Sequence, residues 1–143
     1  QGEGRGVLVE VDDLAIRRAA RWADGLAGFS FGPSLAEIGA ASDHAREAWS
    51  ELGRPAPRLV TSFWYALGPD ARAQLDAYLR RYLNFMGEKV AENLLPLVTT
   101  TSAHTLRDTL RALRDLGTDE VILVPTTREP EEVDRVAEIV AGL

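Results

Sequence analysis

Glu120-Val121-Ile122-Leu123-Val124-Pro125 is a short, almost continuously apolar run rich in β-branched residues. Such a run reads as a strand, and apolarity at successive positions suits a parallel strand covered on both faces. After the Thr126-Thr127-Arg128 loop, Pro130 sits at the first turn of a helix, and Glu131 and Glu132 are favourable at its positive end. Val133, Val136, Ile139 and Val140 form the core stripe expected of that helix. Upstream, a Thr99-Thr100-Thr101-Ser102 capping run precedes a helix from His104 to Leu116. Leu106, Leu110 and Leu113 line it at four- and three-residue spacing, and Gly117 stops it.

The same alternation of strand and helix extends back to the start of the chain. Val7 to Val11 reads as a strand, and Asp12 as the N-cap of a helix through Leu14, Ala15, Ala19 and Trp22. Asp24-Gly25 ends that helix, Gly25 supplying a left-handed stop. Leu26 to Phe31 is the second strand, broken by Gly32-Pro33. Ser34 and Glu37 form a Ser-x-x-Glu capping box for a helix carrying Ile38, Ala41, Ala45, Trp49 and Leu52, which Gly53 stops. The third strand spans Arg58 to Leu67, with β-branched and aromatic character from Val60, Phe63, Trp64 and Tyr65. Gly68-Pro69-Asp70 opens the helix expected to be longest, with Leu75, Tyr78, Leu79, Tyr82, Leu83 and Phe85. Gly87 interrupts it before a second helical piece from Glu88 to about Leu95.

Repeated β-α units predict a parallel sheet with right-handed crossovers in a single domain, residues 1–143, with strands near 7–11, 26–31, 58–67 and 120–125. Two architectures fit: a small doubly wound sheet, or four parallel β-α units making half of a TIM (β/α)8 barrel. A full barrel takes about 250 residues, so four units in 143 match half of one. The chain starts at Gln1. A processed piece, a fragment of a longer protein or the remnant of a cleaved tag would each explain that start.

Composition narrows the functions. Of the 143 residues, 45% are hydrophobic and 27% charged, as in folded soluble chains. No cysteine is present, which excludes disulfides, zinc fingers and a thiol nucleophile. Sixteen basic against 22 acidic residues give a net charge of −6, which argues against duplex nucleic acid and anionic membrane as partners. No stretch reaches a membrane span, and Gln1 to Gly6 lacks the apolar core of a signal peptide, so a cytoplasmic location is expected. No phosphate-cradling glycine fingerprint occurs.

Several stretches resemble the luciferase-like monooxygenases. Leu14-Ala15-Ile16-Arg17-Arg18-Ala19-Ala20-Arg21-Trp22-Ala23-Asp24-Gly25 is similar to a recurrent helix of that family. Ser102 to Pro125, ending in Leu116-Gly117-Thr118-Asp119-Glu120-Val121-Ile122-Leu123-Val124-Pro125, resembles its last helix-to-strand passage. Pro130-Glu131-Glu132-Val133 resembles its closing helix. The resemblance spans nearly the whole chain in family order and implies the C-terminal half of the barrel. It also implies FMN or a deazaflavin as cofactor and a small organic substrate, often with O2 as oxidant. This sequence departs from the family in having Glu10-Val11 where relatives often carry Gly-Gly, and Leu26 in place of an aromatic residue. The family's first four units, on which its flavin site draws heavily, have no counterpart here, which implies that the chain alone lacks the complete active site.

In such barrels functional groups sit at the C-terminal ends of strands. Thr126, Thr127 and Arg128 combine hydroxyls and a guanidinium ahead of a helix, a set suited to a phosphate, sulfonate or carboxylate. A solvated turn with Arg128 paired to Glu129 or Glu131 is the plainer alternative. Trp64 and Tyr65 could wall a flat ligand, although strand neighbours point to opposite faces, so at most one faces the barrel interior. Ser30 and Ser34 could touch an anion, Ser34 being more simply a cap. The expected cofactor- or substrate-binding residues are therefore Thr126, Thr127, Arg128, Ser30, Trp64 and Tyr65. No catalytic residue is assigned. Glu10, Asp12 and Asp13 read as caps rather than a metal site, and His44 and His104 as surface or packing residues. Tyr78, Tyr82, Phe85 and Met86 form an aromatic patch, part core and part oligomer interface. Four barrel strands leave open sheet edges, so the expected partner is a second copy or a complementary N-terminal half. The alternative to an enzyme portion is a non-catalytic module that associates in either way.

Overall fold

The computed structural model describes residues 13–143. The strand expected at Val7 to Val11, with Glu10 and Asp12, lies outside the described residues. Three strands form one sheet in the order β1 (Gly25–Ser30), β2 (Arg58–Tyr65), β3 (Glu120–Pro125). Asp24 C=O accepts from Arg58 N–H and Gly28 C=O from the Ser62 hydroxyl. Leu59 C=O accepts from Asp119 N–H and Tyr65 C=O from Thr126 N–H. Both registers advance in the same direction, so the sheet is parallel. The helices are α1 (Asp13–Ala19), α2 (Leu35–Glu51), α3 (Ala71–Tyr82), α4 (Glu88–Leu94), α5 (Ala103–Asp115) and α6 (Glu131–Ala141), with 3₁₀ turns at Asn84–Met86 and Leu95–Leu97. Among the described residues no helix is long and apolar enough to cross a membrane.

The chain divides into two compact units. One holds the described residues up to Ser30, with Ser34–Ser62 and Leu113–Ile122. The other holds Phe31–Pro33, Phe63–Ala112 and Leu123–Leu143. In the first, Ile16 and Ala20 pack with Ala45, Ala48 and Trp49 of α2 and with Leu59 of β2. The Ser34 hydroxyl accepts from Glu37 N–H and caps α2 as its sequence suggests. Gly53 (φ +68°) and Gly117 (φ +83°) supply the left-handed stops after α2 and α5.

Several boundaries differ from the sequence expectation. Gly25 is no helix stop; it opens β1, where a Cβ would collide with the Arg58 backbone. Helix α1 ends at Ala19, and Arg54 Nη1 holds the carbonyls of Ala20 and Ala23 at 2.6 and 2.7 Å, a cation at a helix C-terminus. Trp22, expected on the apolar stripe, is 78% exposed. The longest helix is α2, with 17 residues, and α3 has 12. Leu83 and Phe85 fall beyond α3, and Gly87, at φ +95°, turns the chain into α4.

In the second unit Leu75, Leu79, Leu83, Leu94, Leu95 and Val98 are buried. Arg72 ties α3 to the segment after α4 by donating to the carbonyls of Val98 (2.6 Å) and Leu95 (2.8 Å). The Thr99-to-Ser102 run splits in role. Ser102 caps α5, its hydroxyl accepting from Thr105 N–H. Thr100 is fully buried and donates to the Trp64 carbonyl at 2.6 Å.

β3 and α6 depart from the burial expected of them. Ile122 is 49% exposed, so β3 is not covered on both faces, and it is a sheet edge among the described residues. On α6, Ile139 is buried while Val133 and Val140 lie exposed.

Gly32 owes its place to close approach rather than to φ: a Cβ there would overlap the Leu97 carbonyl, whereas one on Gly28 would meet nothing. Gly32→Ala should therefore lower unfolding free energy by about 2–3 kcal/mol in urea titrations, and Gly28→Ala should leave it within about 0.5 kcal/mol. Equal effects would refute this packing.

Candidate functional site

β2 stops at Tyr65 although its sequence reads as strand to Leu67, because the next amides are taken elsewhere. Ala66 N–H donates to the Thr100 carbonyl at 3.1 Å, and Leu67 N–H to Glu132 Oε1 at 2.7 Å. Glu132, expected as a favourable acid at the helix start, is only 1% exposed. Its Oε2 lies 3.6 Å from Arg135 Nη1, and neither atom has a hydrogen-bond partner among the described residues. Sequence reasoning missed this pair. The signal was the Glu-x-x-Arg spacing, one helical turn, which puts both side chains on one face of α6. Tyr65 feels the arrangement: burial first, and the Glu132 charge second, raise its phenol above the usual tyrosine value.

Thr126 directly follows β3 and is buried. Its hydroxyl donates to the Tyr65 carbonyl (3.2 Å) and accepts from Gln74 Nε2 of α3 (3.1 Å), so in this structure both functions of the hydroxyl are engaged. Thr127 Oγ1 accepts from Glu129 N–H at 3.2 Å and keeps its own hydrogen to donate. Arg128 is exposed, and among the described residues it makes no ion pair, with Glu129, Glu131 or any other acid. Gly68 is crowded by the Arg135 guanidinium, 3.3 Å from where a Cβ would stand.

Thr126, Thr127 and Arg128 line a groove of about 920 Å³ together with Pro125 and with Gln74, Ala77, Tyr78, Arg81 and Tyr82 of α3. Tyr78 and Tyr82 stack with centroids 6.2 Å apart and 12° between planes. Trp64 underlies them edge-on, 6.5 and 5.2 Å away, and Phe31 meets Trp64 at 5.0 Å. The structure thus brings Thr126, Thr127 and Arg128 together with the α3 aromatics. Trp64 and Tyr65 are both buried, one beneath the tyrosines and one beside Glu132. Ser30 ends β1, half-buried, and is not in this groove. The expected aromatic patch divides: Tyr78 and Tyr82 line the groove, and Phe85 lies beyond it, 80% exposed. Asp13 ion-pairs with Arg17 (3.1 Å) and faces His44 (3.4 Å), and His104 faces Asp108, all at the surface.

No family model matches the sequence, and none of the curated proteins matches it. Among solved structures the chain is similar to an F420-dependent secondary alcohol dehydrogenase in complex with an F420-acetone adduct, with a TM-score of 0.68 and 12% identity. The match covers 90% of this chain and 46% of that one, so this chain spans about half its length. At that identity the likeness is one of fold, and it is consistent with part of a TIM-barrel-like architecture.

The raised Tyr65 phenol sets a pH dependence. The folded state holds that proton more tightly than the unfolded chain, so the contribution is complete below about pH 10 and is lost as pH rises through the folded value. Stability should fall on the alkaline side of about pH 10, and Tyr65→Phe should flatten that fall in urea titrations across pH. An unchanged alkaline slope in the variant would contradict the placement.

Proposed function

We propose that the chain is the C-terminal portion of a luciferase-like, deazaflavin-dependent oxidoreductase of the cytoplasm, acting on a small organic substrate. The observation that carries this reading is the fold likeness to an F420-dependent dehydrogenase over 90% of this chain and 46% of that one. F420 is a deazaflavin, which favours deazaflavin over FMN and hydride transfer over O2 chemistry. The residue resemblances support the assignment to the barrel's second half.

The groove fits a flat ring that bears an anion: stacked phenols offer a planar wall, and guanidiniums offer charge. When bound, a deazaflavin supplies a hydride-transferring ring. This chain's Arg128 and Thr127 would bind the anionic part of the cofactor or substrate. Trp64 would back the aromatic wall, and Thr126 and Tyr65 would hold the loop in place. On this reading the rest of the pocket comes from a complementary N-terminal half, and the chain alone is inactive. The half-exposed Ile122 on an edge strand supports a partner there. A second copy of the chain, giving a non-catalytic self-associating module, is the competing occupant.

Equilibrium titration of F420 and of FMN into the chain, alone and with a complementary N-terminal barrel half, tests the reading. We expect no turnover alone, and F420 bound at least about tenfold more tightly than FMN once the halves join, a difference of about 1.4 kcal/mol. Preference for FMN, or no cofactor binding by joined halves, would overturn it.

A further inference from the structure

We propose that the groove between α3 and the β3–α6 loop is by itself a binding site for a small aromatic phosphate, with Arg81 and Arg128 gripping the phosphate and Tyr78 and Tyr82 the ring. This assignment concerns the isolated chain and does not rest on the deazaflavin reading.

The chain carries a net charge of −6, yet the groove lining holds two guanidiniums and no carboxylate. Arg17, Arg46, Arg54, Arg58, Arg72 and Arg135 are held by carboxylates or carbonyls. Arg81 and Arg128 make no ion pair among the described residues, and both face one groove. Like charges lining one groove that holds no carboxylate disfavour each other, and a dianion relieves that cost. The Thr127 hydroxyl, whose hydrogen remains free to donate, adds a neutral contact.

Tyr78 and Tyr82 lie nearly parallel on successive turns of α3, fixed from below by the edge of buried Trp64. A planar wall held in this way costs little ordering on binding, and it offers stacking to a ring but nothing to a bare ion. A volume of about 920 Å³ suits a small molecule rather than a protein segment. Thr126 locks the loop to α3 through Gln74, so the two halves of the site are held in register.

Calorimetric titration of the whole chain with 1-naphthyl phosphate, 1-naphthol and inorganic phosphate tests the proposal. Naphthyl phosphate should bind at least about tenfold more tightly than either part alone. Arg81→Gln, Arg128→Gln and Tyr82→Leu should each weaken it about tenfold, while Arg111→Gln, the same charge loss at an exposed position of α5, should change it less than about twofold. Circular dichroism melts confirm that each variant is folded. No saturable binding by the folded chain, equal affinity for naphthyl and inorganic phosphate, or equal weakening by Arg111→Gln would overturn the site. Each of these results is read without a second half or a cofactor, so failure here leaves the oxidoreductase reading standing, and the reverse also holds.

Discussion

The end of β2 organises the second unit. Past Tyr65 the strand's amides would continue a ladder, but Thr100 takes one and the buried Glu132 carboxylate takes the next. A carboxylate sunk to 1% exposure is costly unless hydrogen bonds and a nearby cation compensate it. Leu67 N–H and the Arg135 guanidinium are those compensations. The result is that the β2–α3 connection is pinned to the first turn of α6. With Thr126 bonded to both the Tyr65 carbonyl and Gln74, α3 is set beside the β3–α6 loop, and the groove is the space left between them.

Much of this fold was legible because local chemistry and pattern agreed. The apolar run at 120–125, the Ser34 cap and the glycines at 53 and 117 each carry a local physical signature, and each gave the right element. Boundaries failed where distant groups decide. Nothing near Ala19 shows that Arg54 will cap the carbonyls after it, and nothing near Leu67 shows that Glu132 will claim its amide. Gly25 misled because the residue that favours a left-handed stop also permits close approach, and in β1 the Arg58 backbone needs the latter.

The candidate site was half legible. Strand-end logic picked out the Thr126-Thr127-Arg128 loop, but residue type alone could not show that Thr126 is spent on structure while Arg81 joins Arg128. Tyr78 and Tyr82 were visible as an aromatic patch. Their role as a wall depends on Trp64 supporting them from β2, a contact across residues distant in sequence. Burial of the apolar run in β3 was overestimated for an instructive reason. Its sequence is that of a strand buried on both faces, yet Ile122 is half exposed and β3 has a neighbour on one side only among the described residues. On the proposed reading, further strands complete the sheet beside this partly open strand.

Amide hydrogen exchange along Glu120–Pro125 measures that mismatch most directly. In the chain alone, the amides facing away from β2 should exchange rapidly, and adding a complementary N-terminal half should slow them at least about tenfold. Full protection of every amide in a chain that sediments as a single copy, with no change on addition of that half, would contradict it.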